Sequence, residues 1–324
     1  MGLDIQTWVN VAAYIGGGIA MGFGAVGAAI GEGYTAAQAS SAISRNGNAA
    51  GDVIKSMLVG QAIAESASIF ALVVAMILLF TNFPATTPVM IPAVFGAGLS
   101  MGIGAIGAGI GAGFPAGSAC IGMVRQPAVS NKLTTNMLIG SAVCQTPSIF
   151  ALVVSFILLF TDFSARPISP TWAAVLGAGF ASGLSAIGSG IGGGIVAKQS
   201  CDGIARQPAA TTTITNIMLL GQAITQTPAI LGLLVSFILI FKSYAASSAL
   251  APAMALLASG LCIGFGAIGP GIGEGVASSG GVAWVARNEK HTGEIVRLML
   301  VGMAVAESTA IYSLVIALVL VFVV

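Results

Sequence analysis

Long apolar stretches dominate this chain, and its polar residues fall mainly between them. The 324 residues contain eight apolar runs. Each run is roughly 28 to 38 residues long, which exceeds the ~20 residues that a helix needs to cross the hydrocarbon core of a membrane. Short segments rich in Pro, Asn, Ser and Thr separate the runs. The pattern predicts an all-α membrane protein with eight transmembrane helices.

The eight runs form four consecutive pairs, because one apolar phrase recurs every 80 or 81 residues. The first copy reads GQAIAESASIF from Gly60, and later copies begin at Gly140, Gly221 and Gly302. A repeat of this length predicts tandem supersecondary units, here four helical hairpins. The predicted boundaries of these hairpins, called hairpins 1 to 4 below, are 1–82, 83–163, 164–244 and 245–324.

The two helices of each hairpin differ in side-chain size. The first helix is crowded with glycine, as in GGGIAMGFGAVGAAIGEG from Gly16, whereas the second ends in bulky residues, as in FALVVAMILLF from Phe70. Small residues let membrane helices approach closely, and bulky ones suit contact with lipid. We therefore expect an inner row of first helices inside an outer row of second helices.

Charge is scarce and unevenly placed. Hydrophobic residues make up 56% of the chain and charged residues 6%, with a net charge of +1, so we expect contact with membrane lipid and no nucleic-acid partner. Of the eleven Lys and Arg residues, only Arg166 and Lys242 lie away from the hairpin tips. The positive-inside rule then predicts a multi-pass membrane protein with cytoplasmic hairpin tips and both termini on the outer side.

Four of the ten acidic residues lie inside apolar runs: Glu32, Glu65, Glu274 and Glu307. The two acids of hairpin 1 are 33 residues apart, as are the two of hairpin 4. Each acid therefore lies at a similar distance from its hairpin tip, near the middle of the membrane. An ionisable group at that depth is costly, which indicates a functional role.

Two facing carboxylates in a medium of low dielectric share a proton or bind a cation. A hydroxyl follows the second acid, at Ser66 and Ser308, and oxygen ligands suit hard cations such as Na⁺. The alternative is that the acids only hold helices together by hydrogen bonds. Hairpins 2 and 3 carry neutral, degenerate copies of the motif, Gln145-Thr146 and Gln226-Thr227.

Together these features resemble the rotor-ring c-subunit (proteolipid) of rotary ATP synthases, with four copies of its hairpin fused. The resemblance rests on the glycine-rich first helix, the mid-helix acid and an F-type-like Arg-Gln-Pro tip. It implies that the chain forms an arc of a c-ring and that the tips contact the central stalk. The tip residues are Arg125, Gln126, Pro127, Arg206, Gln207 and Pro208, with Arg45 and Arg287 at the tips of hairpins 1 and 4.

The resemblance also implies a ligand set, taken from sodium-dependent members of the family. In hairpin 1 it comprises Glu32, the Ile63 carbonyl, Glu65 and Ser66; in hairpin 4 it comprises Glu274, the Val305 carbonyl, Glu307 and Ser308. Tyr312 matches a tyrosine that stabilises the site. The implied ion is Na⁺, with H⁺ as the alternative.

Family sites lie between neighbouring hairpins, which suggests where the acids of this chain meet. In a ring of such chains, hairpin 4 of one copy adjoins hairpin 1 of the next. Our hypothesis from the sequence is one two-acid site per chain junction, pairing Glu274 with Glu65 or Glu32 with Glu307, and one weaker single-acid site beside it.

The function implied is an ion-translocating rotor subunit with a reduced ion-to-ATP ratio and no catalytic centre of its own. Implied partners are further copies of the chain, a stator a-subunit, central stalk subunits and lipid. A passive channel, a secondary transporter and a structural proteolipid oligomer remain as alternatives. Ring stoichiometry, Na⁺ versus H⁺, a second type of c-subunit and the direction of coupling, with a slight preference for ATP-driven pumping, stay open.

Overall fold

A computed structural model describes residues 4–322 of the chain; the first three and last two residues lie outside this description. Within residues 4–322, eight helical segments are long and apolar enough to cross a membrane, which confirms the prediction.

Hairpin 1 contains α1 (Ile5–Arg45) and α2 (Ala50–Phe80). Hairpin 2 contains α3 (Met90–Arg125), α4 (Ser130–Cys144) and α5 (Thr146–Phe160). Hairpin 3 contains α6 (Ile168–Arg206), α7 (Thr211–Thr225) and α8 (Thr227–Phe241). Hairpin 4 contains α9 (Leu250–Gly266), α10 (Ile268–Val285) and α11 (Thr292–Phe322).

Each hairpin tip is a single 3₁₀ turn, at 47–49, 127–129, 208–210 and 289–291. Pro127 and Pro208 open two of these turns, where a missing N–H costs nothing. Arg45, Arg125 and Arg206 lie in the last turn of the helix before the tip. A cation there is favoured by the negative end of the helix dipole.

The first helices lie side by side in the order α1, α3, α6 and α9–α10, and the second helices cover one side of this row. Glycine permits the close approach. A Cβ atom at Gly111 would overlap the backbone carbonyl of Gly190, and one at Gly192 would overlap that of Gly271. The second helices expose bulky residues such as Phe80, so the two kinds of helix occupy the layers expected from their composition.

Prolines interrupt some of the membrane helices and not others. The second helices of hairpins 2 and 3 break at Gln145 and Gln226, two residues before Pro147 and Pro228. A proline removes one backbone donor and clashes with the preceding turn, which accounts for the break. In contrast, α2 and α11 run without interruption through Glu65 and Glu307.

The segments between hairpins contain the two basic residues that lie away from the tips. Arg166 donates a hydrogen bond to the Ile240 carbonyl, and Lys242 Nζ donates to the Val321 carbonyl at 2.5 Å. Both carbonyls lie in the last turn of a second helix, where they lack helical donors. Nearby, the backbone N–H and hydroxyl of Ser164 hold the pKa of Asp162 below its usual value. These two basic side chains therefore cap helix ends.

Candidate ion-binding site

Glu274 is the most deeply buried acid described by the structure. It lies on α10, its side chain has no exposed surface, and neither carboxylate oxygen has a hydrogen-bond partner within residues 4–322. A buried carboxylate without partners is strongly disfavoured unless a proton or a cation neutralises it. The geometry around Glu274 therefore requires a ligand of this kind.

The acids meet in pairs inside single hairpins. Glu274 lies close enough to Glu307 for their charges to repel each other, and Glu32 stands in the same relation to Glu65. The reason is that the two helices of one hairpin pack directly against each other and carry their acids at matching depth. The pairing of acids across a chain junction involves a second copy of the chain and stays a prediction.

Burial at the Glu274 position depends on whether another hairpin precedes it. The equivalent residues of hairpins 2 and 3, Ala112 and Gly193, are buried, whereas Glu32 in hairpin 1 is only half-buried. Within residues 4–322, hairpin 1 packs against hairpin 2 on one side only. It follows that hairpin 3 closes the surroundings of Glu274, whereas no described residue covers the same side of Glu32.

Gln145 shows which atoms of a preceding hairpin face the acid position. Its Nε2 donates to the Ile63 carbonyl of hairpin 1 at 3.0 Å and approaches the Ala108 carbonyl of its own hairpin at 3.5 Å. The second of two acids in the motif is replaced here by an amide. The amide N–H thus occupies the side of the Ile63 oxygen where a cation would bind in a charged copy.

Between hairpins 2 and 3 a different glutamine makes the contacts. Gln222 Nε2 donates to the Gly140 carbonyl at 2.8 Å and to the Gly193 carbonyl at 3.0 Å. Gln226, at the acid position, is 6% exposed, and both of its amide heavy atoms lack partners within residues 4–322. Thr146 and Thr227, the other residues of the degenerate motifs, are half-buried.

The remaining expected ligands lie on the uncovered surfaces of hairpins 1 and 4. Ser66 Oγ donates to the Ala62 carbonyl at 3.2 Å, and Ser308 Oγ donates to the Val305 carbonyl at 2.7 Å. Glu65 is exposed and Glu307 is half-buried. Tyr312 is 66% exposed on α11. These groups belong to the two ends of the row of hairpins.

The repeat matches a known family along most of its length. The family model described as ATP synthase C-subunit matches residues 15–78, 95–158, 176–239 and 257–320, once in each hairpin. The chain belongs to the ATP synthase C-subunit family. The family model matches one hairpin at a time, so the four matches confirm that this chain is a fusion of c-subunit repeats.

Three relatives illustrate the similarity, and each is named as an ATP synthase c-subunit. The relative from Natranaerobius thermophilus is 45% identical over 80 residues, which cover 25% of this chain and 92% of the relative. That from Petrotoga mobilis is 48% identical over 68 residues, covering 21% of this chain and 71% of the relative. That from Dehalococcoides mccartyi strain BAV1 is 50% identical over 68 residues, covering 21% and 90%.

The c-subunit tip residues lie at one end of the molecule. Arg45, Arg125, Arg206 and Arg287 are exposed. Arg125 lies 3.9 Å from Asp202, and Arg287 stacks over Trp284 at 4.8 Å. The remaining expected tip residues are Gln126 and Pro208, which are half-buried, and Pro127 and Gln207, which are exposed.

Two groups near the acids were not predicted from the sequence. Gln222 links α4 of hairpin 2 to α6 of hairpin 3 by donating to one carbonyl in each helix. Nothing in its sequence context distinguishes it from Gln61. The carbonyl of Ile224 cannot accept from residue 228, which is a proline, and accepts from the backbone N–H of Gln226 instead. The position of that proline was the available signal.

Proposed function

We propose that this protein forms an ion-carrying rotor ring of a membrane ATP synthase or ATPase and carries Na⁺, with H⁺ as the alternative. The observation that carries the proposal is the Glu274 carboxyl, which is fully buried in a membrane-spanning segment without a hydrogen-bond partner. A group of this kind is retained when it binds and releases an ion. Glu307 supplies the second carboxyl beside it.

The available oxygen atoms favour a monovalent ion. In residues 4–322, no three His, Cys, Asp or Glu side chains converge on one point. Two carboxylates are neutralised by one proton and one Na⁺, or by two protons, whereas a multivalent site usually gathers more ligating groups. Hydroxyl and carbonyl oxygens then complete the coordination of Na⁺.

The proposed partners follow from the incomplete edges of the chain. Glu32 and Glu65 are partly uncovered at one end of the row, and Glu307 at the other, so further copies of the chain would close the ring. A stator a-subunit would exchange ions with the acids, and central stalk subunits would contact the tip arginines. The basic tips would face the cytoplasm, with the linkers between hairpins on the outer side.

Transport by the intact complex tests the proposal. The purified complex, reconstituted into vesicles, should take up Na⁺ when ATP is supplied, and uptake should stop when a hydrophobic carbodiimide modifies Glu65 and Glu307. Uptake of H⁺ without Na⁺ would select the proton alternative. Ion flux without ATP would support a channel or a secondary transporter, and unlabelled glutamates would support a purely structural oligomer.

The ratio of ions to ATP tests the proposed load. Because two hairpins in four carry acids, the ring should move about half as many ions per turn as it has hairpins. Catalytic events per turn are set by the soluble head, so the ion-to-ATP ratio should be low. A ratio equal to one ion per hairpin would contradict this part of the proposal.

A further inference from the structure

The open face of hairpin 1 keeps most of the glycines that the interior interfaces use. In hairpins 2 to 4, glycines on the first helix pack against the backbone of the preceding hairpin, and a Cβ at Gly98 would overlap Gly16. Hairpin 1 carries glycine at the matching repeat positions Gly18, Gly22 and Gly33. A Cβ at any of these three would meet no atom of residues 4–322 within 4 Å. Because glycine weakens a helix, its retention on an open face indicates that another helix packs there.

Hairpin 4 carries the matching half of this interface at the other end of the row. Gly188 and Gly192 let the first helix of hairpin 4 approach that of hairpin 3, and a Cβ at Gly192 would overlap the Gly271 carbonyl. The matching repeat positions of hairpin 4 are Gly269 and Gly273. The two open faces therefore complement each other, so hairpin 4 of one copy fits against hairpin 1 of another. This contact between copies is called the seam below.

One glycine of the series is replaced on the hairpin 1 side of the seam. Gly109, Gly190 and Gly271 share one repeat position, where a Cβ would lie 2.5 to 2.6 Å from a backbone carbon of the preceding hairpin. The residue at this position in hairpin 1 is Ala29, which carries that Cβ. Carbon atoms pack at about 3.5 to 4 Å, so the two backbones must lie about 1 Å farther apart at the seam than inside the chain.

A second glycine is replaced on the hairpin 4 side of the seam. Gly16, Gly96 and Gly177 face the next hairpin, and a Cβ there would lie 2.9 to 3.2 Å from a backbone carbonyl oxygen. The residue at this position in hairpin 4 is Ala258, which is exposed. Ordinary Cβ contacts begin near 3.4 Å. Ala258 therefore hinders close approach in the half of the helix that lies away from the tip.

A tryptophan hinders close approach near the tips. Gly122 and Gly203 face the next hairpin, where a Cβ would lie 3.1 Å from the Ala205 Cβ and 3.0 Å from the Ala286 Cβ. The residue at this position in hairpin 4 is Trp284, which is 57% exposed and borders an open groove between α10 and α11. Since a methyl group is already tight here, an indole requires wider spacing.

We infer that a second copy of this chain docks on these faces in the register of the interior interfaces but at wider spacing, so that the ring has one loose seam per chain. The inference rests on the proposed function, because that function needs a closed ring. Ala29 lies one helical turn from Glu32, so the seam is loosest beside the acids of hairpin 1. The acids of hairpin 4 lie instead beside the tight interface with hairpin 3.

Helix spacing in the intact complex tests the inference directly. An electron cryo-microscopy map should show hairpin 4 of one copy beside hairpin 1 of the next. The backbones at Gly269 and Ala29 should lie about 1 Å farther apart than those at Gly188 and Gly271. Equal spacing, or a different hairpin seated between the copies, would overturn the inference while the proposed function stands. A chain that forms no ring would overturn both.

Alanine variants test whether the two methyl groups hold the seam open. In Ala29→Gly with Ala258→Gly, the seam at position 29 should narrow by about 1 Å, and dodecyl sulfate should release single chains from the ring only at a higher temperature. Ala142→Gly is the control, because it removes a methyl group from an exposed face of α4 in an interior hairpin. It should change neither quantity. An unchanged seam in the double variant would overturn the inference.

Tryptophan variants test the end of the seam near the tips. Trp284→Gly should narrow the spacing there and raise the temperature at which dodecyl sulfate releases single chains. Trp284→Phe keeps an aromatic ring at the same place and should keep the wide spacing. Equal spacing in the two variants would contradict the inference at this end of the seam.

Discussion

Hairpins 1 and 4 hold an acid on an unbroken second helix, whereas hairpins 2 and 3 hold a glutamine where that helix breaks. The glutamines are 6% exposed, and Gln145 donates its N–H to a carbonyl of the neighbouring hairpin. Glu65 and Glu307 have no N–H to donate and are more exposed. An amide can therefore close the interface by itself, while a carboxylate needs an ion or a proton to do so.

Removing both acids on the second helices should have the largest effect. In the double variant Glu65→Gln with Glu307→Gln, every hairpin carries a neutral group at the acid position. Ion uptake by the reconstituted complex and carbodiimide labelling of the ring should both fall to background. Glu294→Gln, an exposed acid near the tip, should leave both unchanged. Residual ATP-driven uptake in the double variant would show that the acids are not the carriers.

Adding acids to a neutral interface should produce the next largest effect. The double variant Gly193→Glu with Gln226→Glu copies the pair found in hairpin 4. A Cβ at Gly193 meets its nearest neighbour, Cys144 Sγ, at 3.5 Å, so the first atom of the new side chain fits. The ring should gain a third glutamate per chain that reacts with a hydrophobic carbodiimide, and Na⁺ should protect this glutamate from the reaction.

The single variant Gln226→Glu is the control for that experiment. It should be labelled, but Na⁺ should protect it less than the double variant because the second carboxylate is missing. If a carbodiimide labels the double variant and Na⁺ does not protect it, the two added acids are not sufficient to create a Na⁺ site in hairpin 3.

Removing the amide of Gln145 should have a moderate effect on stability. Gln145→Ala leaves the Ile63 carbonyl without this donor and opens space between hairpins 1 and 2. Interhelical hydrogen bonds in membranes contribute about 0.6 to 2 kcal/mol, so the purified ring should melt at a lower temperature. Gln207→Ala, at an exposed tip position, should melt like the parent ring, and an unchanged melt for Gln145→Ala would contradict the closing role of the amide.

Gln222→Met should have the smallest effect, because hairpin 4 carries Met303 at the same position. The variant loses two hydrogen bonds to carbonyls that keep their helical donors, at a cost below about 1 kcal/mol. A small fall in melting temperature with no change in Na⁺ protection of Glu307 is expected. A large loss of stability would show that Gln222 is the main contact between hairpins 2 and 3.

The helices were predictable because each apolar run is long and the repeat is close to regular. The four membrane acids were also visible, since a charged residue stands out among apolar neighbours. Their matching depth within one hairpin followed from the 33-residue spacing, but the burial of Glu274 did not, because it depends on how closely hairpin 3 packs against α10. The helix break at Gln226 was visible only indirectly, through Pro228 two residues later, because backbone geometry is not written in the sequence.

The half-covered Glu32 links ion binding to assembly. The chain itself contains the interface between hairpins 3 and 4, but the surroundings of Glu32 are completed only when a neighbouring hairpin of the ring docks against hairpin 1. Binding of an ion or a proton beside Glu32 would then report that the ring has closed. An incomplete ring would expose an ionisable group to lipid at its open end, which penalises partial assemblies and favours the closed one.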